Sequence, residues 1–206
     1  MTSRFYFSAF LVLALLIPVS AFTIPDLDNT TVETRAIADV SILICPACDG
    51  RRLELAPLFG GPSVDATIEL YLLDGDGTPV ANFPFEDMWL DSDDLCFCQG
   101  GSTADANTDV NGYAQFQKPF CGGGCSENPS LGGVVNGMAV GDYPIPHIKV
   151  NSPDMNCDFI VDLVDVTLFA SAYWAGYDYC ADFIWDGVLN LSDVGILAQH
   201  YGHQCQ

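Results

Sequence analysis

Cations are what this sequence has least of. Lysine and arginine together number 6 against 27 aspartates and glutamates, a formal charge of −21 at pH 7, and neither basic residue occurs after Lys149. So anionic a surface repels nucleic-acid phosphates and acidic lipid headgroups and attracts cations, which argues against nucleic acid and membrane surfaces as partners. Histidine is scarce too, with only His147, His200 and His203. No Gly-x-Ser-x-Gly, His-Glu-x-x-His or phosphate-cradling loop is present, and the chain reads as non-enzymatic. Beyond the first twenty or so residues no apolar run is long enough to span a bilayer. Helical periodicity of useful length is missing before residue 150.

The opening segment, MTSRFYFSAFLVLALLIPVSAF, does carry an apolar run. One basic residue, Arg4, precedes Phe5 to Val19, and small residues follow to Ala21, the pattern of a Sec-type signal peptide over residues 1–21. A membrane anchor needs about 20 apolar residues, more than this run supplies. The mature chain is therefore expected to be bacterial, exported, and free of the membrane. Half of all residues are hydrophobic and 12% aromatic, which points to a packed core rather than an acidic tail. Nine cysteines (45, 48, 96, 98, 121, 125, 157, 180 and 205) read as disulfides in an exported chain, with one thiol left over.

Two regions differ in character. Residues 22–150 alternate short apolar segments with turn signals. ATIELYLLDGDGTPV is a strand running into a tight turn, Asn111-Gly112 opens another strand, and VVNGMAV makes a third turn. Such spacing predicts an antiparallel β-sandwich. The pattern D-G-x-G-x-P-V followed by T-D-x-N-G-x-A-x-F resembles bacterial immunoglobulin-like and carboxypeptidase-regulatory-like domains over Asp65 to Phe116. That resemblance implies an Ig-like sandwich and no activity.

Residues 151–206 contain an internal duplication with a period of 28. Asp154 aligns with Asp182, Asp158 with Asp186, Leu163 with Leu191, Asp165 with Asp193, Val166 with Val194, Ala170 with Ala198 and Tyr173 with Tyr201. After each acidic loop the apolar positions fall at helical spacing, Val166, Phe169, Ala170, Tyr173 and then Val194, Leu197, Ala198, Tyr201. The fold class expected is thus mainly β with a small α unit of two loop–helix repeats, whose helices bury their faces against each other.

Calcium loops of the EF-hand type place oxygen ligands at positions 1, 3, 5, 7 (a carbonyl), 9 and 12, with glycine at 6. The first loop offers Asp154, Asn156, Asp158, the Ile160 carbonyl, Asp162 and Asp165. The second offers Asp182, Asp186, the Val188 carbonyl, Asn190 and Asp193, with Ile184 at the third position supplying no ligand. Phe159 stands where glycine is usual, and Gly187 keeps it in the second loop. A merely solvated acidic loop does not explain why acids recur at matched offsets beside Val161 and Leu189. Ca²⁺ is the expected cofactor, and the fold of the region should depend on it.

The motifs D-x-N-x-D-x-x-V-D-L-x-D and D-x-x-x-D-G-x-L-N-L-S-D, each followed by one helix, are similar to type I dockerin domains across 152–205. The resemblance implies two calcium loop–helix units packed antiparallel, with the ligands just named, and a cohesin-like partner. Cellulosomal dockerins read cohesin with small hydroxyl residues before the last ligand and basic residues along the helix. This chain has Leu163-Val164 and Leu191-Ser192 there and no cations, so the metal transfers better than the docking.

Other constellations are weaker. Asp105, Asn107, Asp109 and Asn111 alternate as a calcium site would, as do Asp74 and Asp76, but such residues also build turns. Cys45, Cys48, Cys96 and Cys98 could give zinc four thiolates, against which oxidation competes. Cys157, Cys180 and Cys205 surround the duplicated unit, and two of them are expected to staple it. His200 and His203 at the end of the second helix suit its dipole. The functional expectation is a secreted calcium-binding structural or interaction protein that assembles with itself into a filament, tube or surface layer. An adaptor for a cohesin-like surface protein is the alternative. A carbohydrate-binding or hydrolytic accessory would use Trp89, Trp174 or Trp185, aromatics that more often belong to a core.

Overall fold

Turn chemistry decides where the strands begin. Asp74 Oδ1 accepts from the amides of Asp76 (3.0 Å) and Thr78 (2.8 Å), and Asp109 Oδ1 from those of Asn111 (2.7 Å) and Tyr113 (3.0 Å), two turns each locked by an aspartate. At Asn136 and Gly137 φ is 50° and 80°, the paired left-handed conformation of a two-residue hairpin turn. A computed structural model describes residues 24–141 and 143–206; the expected leader at 1–21 lies outside them.

In chain order the strands are β1 (Thr31–Thr34), β2 (Val40–Leu43), β3 (Ala56–Pro57), β4 (Ser63–Val64), β5 (Ile68–Tyr71), β6 (Met88–Asp91), β7 (Leu95–Phe97), β8 (Tyr113–Phe116), β9 (Gly122–Gly124), β10 (Gly132–Val135), β11 (Met138–Val140) and β12 (Ile148–Asn151). Two helices follow, α1 (Leu163–Ala175) and α2 (Leu191–His200). The chain is mainly β with two helices. Antiparallel sheets form in the orders β1-β5-β8 and β11-β10-β6, with shorter antiparallel ladders β3-β4 and β7-β9. The ladder β12-β2 is parallel, Ile148 facing Val40, a departure from the all-antiparallel expectation. It joins strands some hundred residues apart, so no local pattern announces it.

One core lies between these sheets. Alternation places Ile68 and Leu70 of β5, Ala114 and Phe116 of β8, Met88 and Leu90 of β6, and Val40 and Ile42 of β2 in a single buried cluster. A second cluster holds Val161, Phe169, Ala172, Ala181, Phe183 and Leu197, together with Leu43 from β2. The helices therefore pack against the sheet region as well as toward each other. Phe169 stacks on Phe183 with centroids 5.8 Å apart.

The helix faces are rotated from the expected ones. Val194 and Tyr201 are exposed, as is Tyr173, while Ala172, Leu197 and His200 are buried. Asp165 and Asp193 are fully buried, so the inward stripe runs 165, 169, 172 and 193, 197, 200. The acidic residue at the start of each helix sets its rotation, and the apolar count alone does not.

Disulfide pairing also differs from expectation. Cys48 joins Cys121, Cys96 joins Cys157, Cys98 joins Cys205 and Cys125 joins Cys180. None of the three C-terminal cysteines pairs with another; each reaches back to the β7-β9 ladder or its neighbours. Three bridges thus cross the expected 150/151 boundary, which itself falls inside β12. Sequence separations of 61, 107 and 55 correspond to about 4–5 kcal/mol each in the chain-entropy account. The four-thiolate zinc site is excluded, since three of its cysteines are oxidised. Cys45 is the free one, fully buried, and burial pushes its thiol up to about 12, far from the range of a reactive thiolate. Four disulfides imply an oxidising environment. No described helix is long and apolar enough to cross a membrane.

Candidate metal centre

Each acidic loop is wound around its own first and last aspartates. In the first, Asp154 accepts from the amides of Asp158 (3.2 Å) and Phe159 (3.0 Å). Asp165 accepts from Met155 (2.8 Å) and Asp162 (2.8 Å). The second repeats this: Asp182 accepts from Asp186 (3.2 Å) and Gly187 (2.8 Å), and Asp193 from Ile184 (3.1 Å) and Asn190 (3.0 Å). Asp158 and Asp186 each take the amide two residues on, from Ile160 and Val188.

Backbone shape repeats as faithfully. Left-handed φ occurs at the fourth loop position, Cys157 (63°) and Trp185 (59°), and at the sixth, Phe159 (70°) and Gly187 (83°). A glycine is unstrained there, whereas Phe159 costs about 1–2 kcal/mol. The loop holds its path despite the wrong residue.

The ninth and twelfth positions serve the helices as well. Asp162 caps α1 through the Val164 amide (2.7 Å), with Asp165 returning a bond to the Asp162 amide. Asn190 and Asp193 do the same for α2. This reciprocal capping box satisfies helix donors that would otherwise go unpaired.

Asp154, Asp165, Asp182 and Asp193 are all fully buried. The eight ion pairs among the described residues involve none of them. Burial pushes the Asp154 carboxyl up to about 6, partly held down by its two amides and pushed further by Asp165 and Asp158. Burial likewise raises Asp165 and Asp193, with Asp158 adding to the first and Asp182 and Asp186 to the second. Uncompensated charge at such depth is costly, so the donor set suits a hard, oxygen-seeking cation. Asn156, Asp158, Asp162, the Ile160 carbonyl, Asp186, Asn190 and the Val188 carbonyl lie on the same two loops. The carboxylates are not drawn within 4.8 Å of one another as a group of three in either loop. Asn156 bridges to Asp158 through Nδ2 (2.8 Å), and Asn190 Nδ2 donates to the Val188 carbonyl (3.1 Å).

The sheet region builds one wall of this centre. Gly124 donates its amide to the Asp154 carbonyl (2.7 Å), and a Cβ on Gly123 would stand 2.1 Å from Asp154 Oδ2. Gly123 and Gly124 are glycine because the first loop lies directly on them, and Gly122 because the Cys96 carbonyl would stand 2.2 Å from its Cβ, roles the sequence does not announce. Asn151 Nδ2 donates to the Asp182 carbonyl (2.8 Å), fixing the second loop to β12. Trp185 is buried, packing edge-on to Phe59 at 5.5 Å.

The weaker acidic candidates do not converge. Asp74 and Asp109 spend their carboxylates on turn amides. Asp105 faces the Gln117 amide (3.1 Å) and Asn107 the Phe85 amide (3.1 Å). Asp76 lies within the Asp74 turn.

No family model matches this chain, and no curated protein matches it. Among solved structures, a crystal structure of the Lin-41 filamin domain aligns at a TM-score of 0.29 with 13% sequence identity, covering 61% of this chain and 95% of that one. A likeness of that size establishes neither fold family nor function.

Proposed function

We propose that the chain is a secreted, calcium-binding structural or interaction protein, without enzymatic activity, that assembles with its own copies into an extracellular filament, tube or surface layer. The observation that carries this reading is the four fully buried aspartates that face no cationic side chain among the described residues. In the first loop the ion's ligands would be Asp154, Asn156, Asp158, the Ile160 carbonyl, Asp162 and Asp165. In the second they would be Asp182, Asp186, the Val188 carbonyl, Asn190 and Asp193. Bound calcium supplies positive charge to carboxylates that the fold has removed from water. Its export signal at 1–21, its Ig-like sheet region and its dockerin-like loop–helix unit belong to the same reading.

Assembly is supported by what the helices leave uncovered. Leu163 is 64% exposed, Trp174 84% and Leu191 80%, large apolar side chains of the kind that mark a contact surface. Copies in which aspartate and glutamate outnumber lysine and arginine this heavily repel one another, and divalent ions lower that barrier. A second reading, an adaptor for a cohesin-like partner, is favoured by one observation: the residues just before the last ligand of each loop, Leu163-Val164 and Leu191-Ser192, are exposed at matched places. Electron microscopy of the purified protein with millimolar calcium and with chelator separates the two. Ordered polymers in calcium alone support self-assembly. A monomer under both conditions rejects it, and capture of a cohesin domain then supports the adaptor.

A further inference from the structure

At the opposite end of α2 from its acidic loop, a second cluster of donors meets. It is built from the turn that follows β2, which contributes Cys45 and Asp49, and from the end of α2, which contributes His200 and His203. One donor atom from each lies within 4.8 Å of all the others, the one such group of His, Cys and carboxylate side chains among the described residues.

Two of the four are held rigidly out of water. Cys45 is fully buried and unoxidised, and His200 is 2% exposed. His200 Nδ1 bonds the Ile196 carbonyl one helical turn back at 2.8 Å. A carbonyl only accepts, so Nδ1 carries the hydrogen and the lone pair of the neutral ring sits on Nε2. That Nε2 is buried without any hydrogen-bond partner, 3.9 Å from Asp49 Oδ1. A buried lone pair facing a carboxylate oxygen is repelled by it, and a cation bound between the two turns that repulsion into coordination. Holding the remote ring nitrogen on a backbone carbonyl is also how metal-binding imidazoles are oriented.

The remaining donors surround the same point, each close pair within about 0.3 Å of the spacing a tetrahedral ion sets. His203 Nδ1 is 3.0 Å from Asp49 Oδ2 and 3.8 Å from Cys45 Sγ. A tetrahedral zinc ion, with bonds of about 2.0–2.3 Å, requires donor-to-donor edges of about 3.3–3.6 Å. His203 is not placed as a relay for a nucleophilic Cys45, because Cys45 and Asp49 both face its Nδ1, whereas a relay needs one on each ring nitrogen.

We propose that Cys45, Asp49, His200 and His203 form a four-coordinate site for a borderline-soft divalent ion of the zinc class, distinct from the acidic loops. One thiolate, two imidazoles and one carboxylate exclude calcium, which takes oxygen. Four protein ligands make the site closed and structural. On binding, the Cys45 thiol releases its proton to solvent. The ion pins the end of α2 to the turn after β2, beside the Cys48–Cys121 and Cys98–Cys205 bridges. The site does not depend on the loops binding calcium.

Cobalt(II) makes the test visible. The chelator-stripped chain, disulfides intact and saturated with calcium, takes up one equivalent of cobalt and develops tetrahedral ligand-field bands with a thiolate-to-cobalt charge-transfer band; one equivalent of zinc abolishes both. Cys45→Ser removes the charge-transfer band. His203→Ala, at a half-exposed position that spares the core, weakens zinc by more than the about 10–100-fold typical of losing an outer-shell partner. Circular dichroism verifies the fold of each variant, and should Cys45→Ser fail to fold, the parent spectrum and His203→Ala decide. A folded parent without the charge-transfer band, a Cys45→Ser variant that keeps it, or zinc affinity unmoved by His203→Ala overturns the proposal.

Discussion

Single residues in the acidic loops carry measurable energies. Phe159 sits at φ 70°, where its side chain costs about 1–2 kcal/mol, and its ring is 40% exposed, so little packing opposes its removal. Phe159→Gly should therefore stabilise the folded loop by about 1 kcal/mol after the added freedom of the unfolded chain is counted. A chemical-denaturation midpoint that rises checks this; a fall would show that the ring packs more than it strains. Asp154 predicts a pH dependence. Its carboxyl, ordinarily near 3.8, stands at about 6 in the folded chain without metal. Between those values the folded state keeps a proton that the unfolded chain has released, so stability in chelator falls as pH rises from about 4 to 6. Asp165 and Asp193 are raised also and act in the same direction. Calcium displaces that proton, so its stabilisation grows over the same interval. Melting temperatures across this range with calcium and with chelator should diverge as pH rises; parallel curves would contradict the account.

At the scale of elements, legibility followed locality. The turns at Asp74, Asn111 and Asn136 lie within a few residues of the strands they close, and β5, β8, β10 and β11 stand where those turns imply. The two helices and their caps were legible for the same reason, since the acid spacing, the capping residue and the helix are contiguous. Which helix face turns inward was not, because buried Asp165 and Asp193 fix the rotation. The β2-β12 ladder, the disulfide partners and the Cys45 cluster join residues far apart in the chain, where spacing carries no signal. His200 and His203, three apart, were the one local hint of that cluster. Gly122-Gly123-Gly124 forms a strand, β9, and Gly123 and Gly124 lie directly beneath the first loop. Gly123→Ala places a carbon 2.1 Å from Asp154 Oδ2 and must displace that carboxylate. Calcium affinity of the first loop should fall while the second loop, whose wall is Asn151 and Phe59, is unchanged. Titration resolving two sites checks it, and equal loss at both would show a general collapse instead.

In the whole molecule, a sheet region and an acidic helical unit are held together by three crossing disulfides, the β2-β12 ladder and Leu43 reaching into the helical core. Covalent and apolar links position the loops, and the loops carry charge that these links do not neutralise. The most direct test is a calcium titration of the chelator-stripped, disulfide-intact chain, followed by heat of binding and by melting temperature. The account predicts two ions per chain and, at a hundredfold excess over Kd, about 2.7 kcal/mol per site, or roughly 5–10 °C in melting temperature. No heat of binding and a melting temperature identical in calcium and chelator would contradict it.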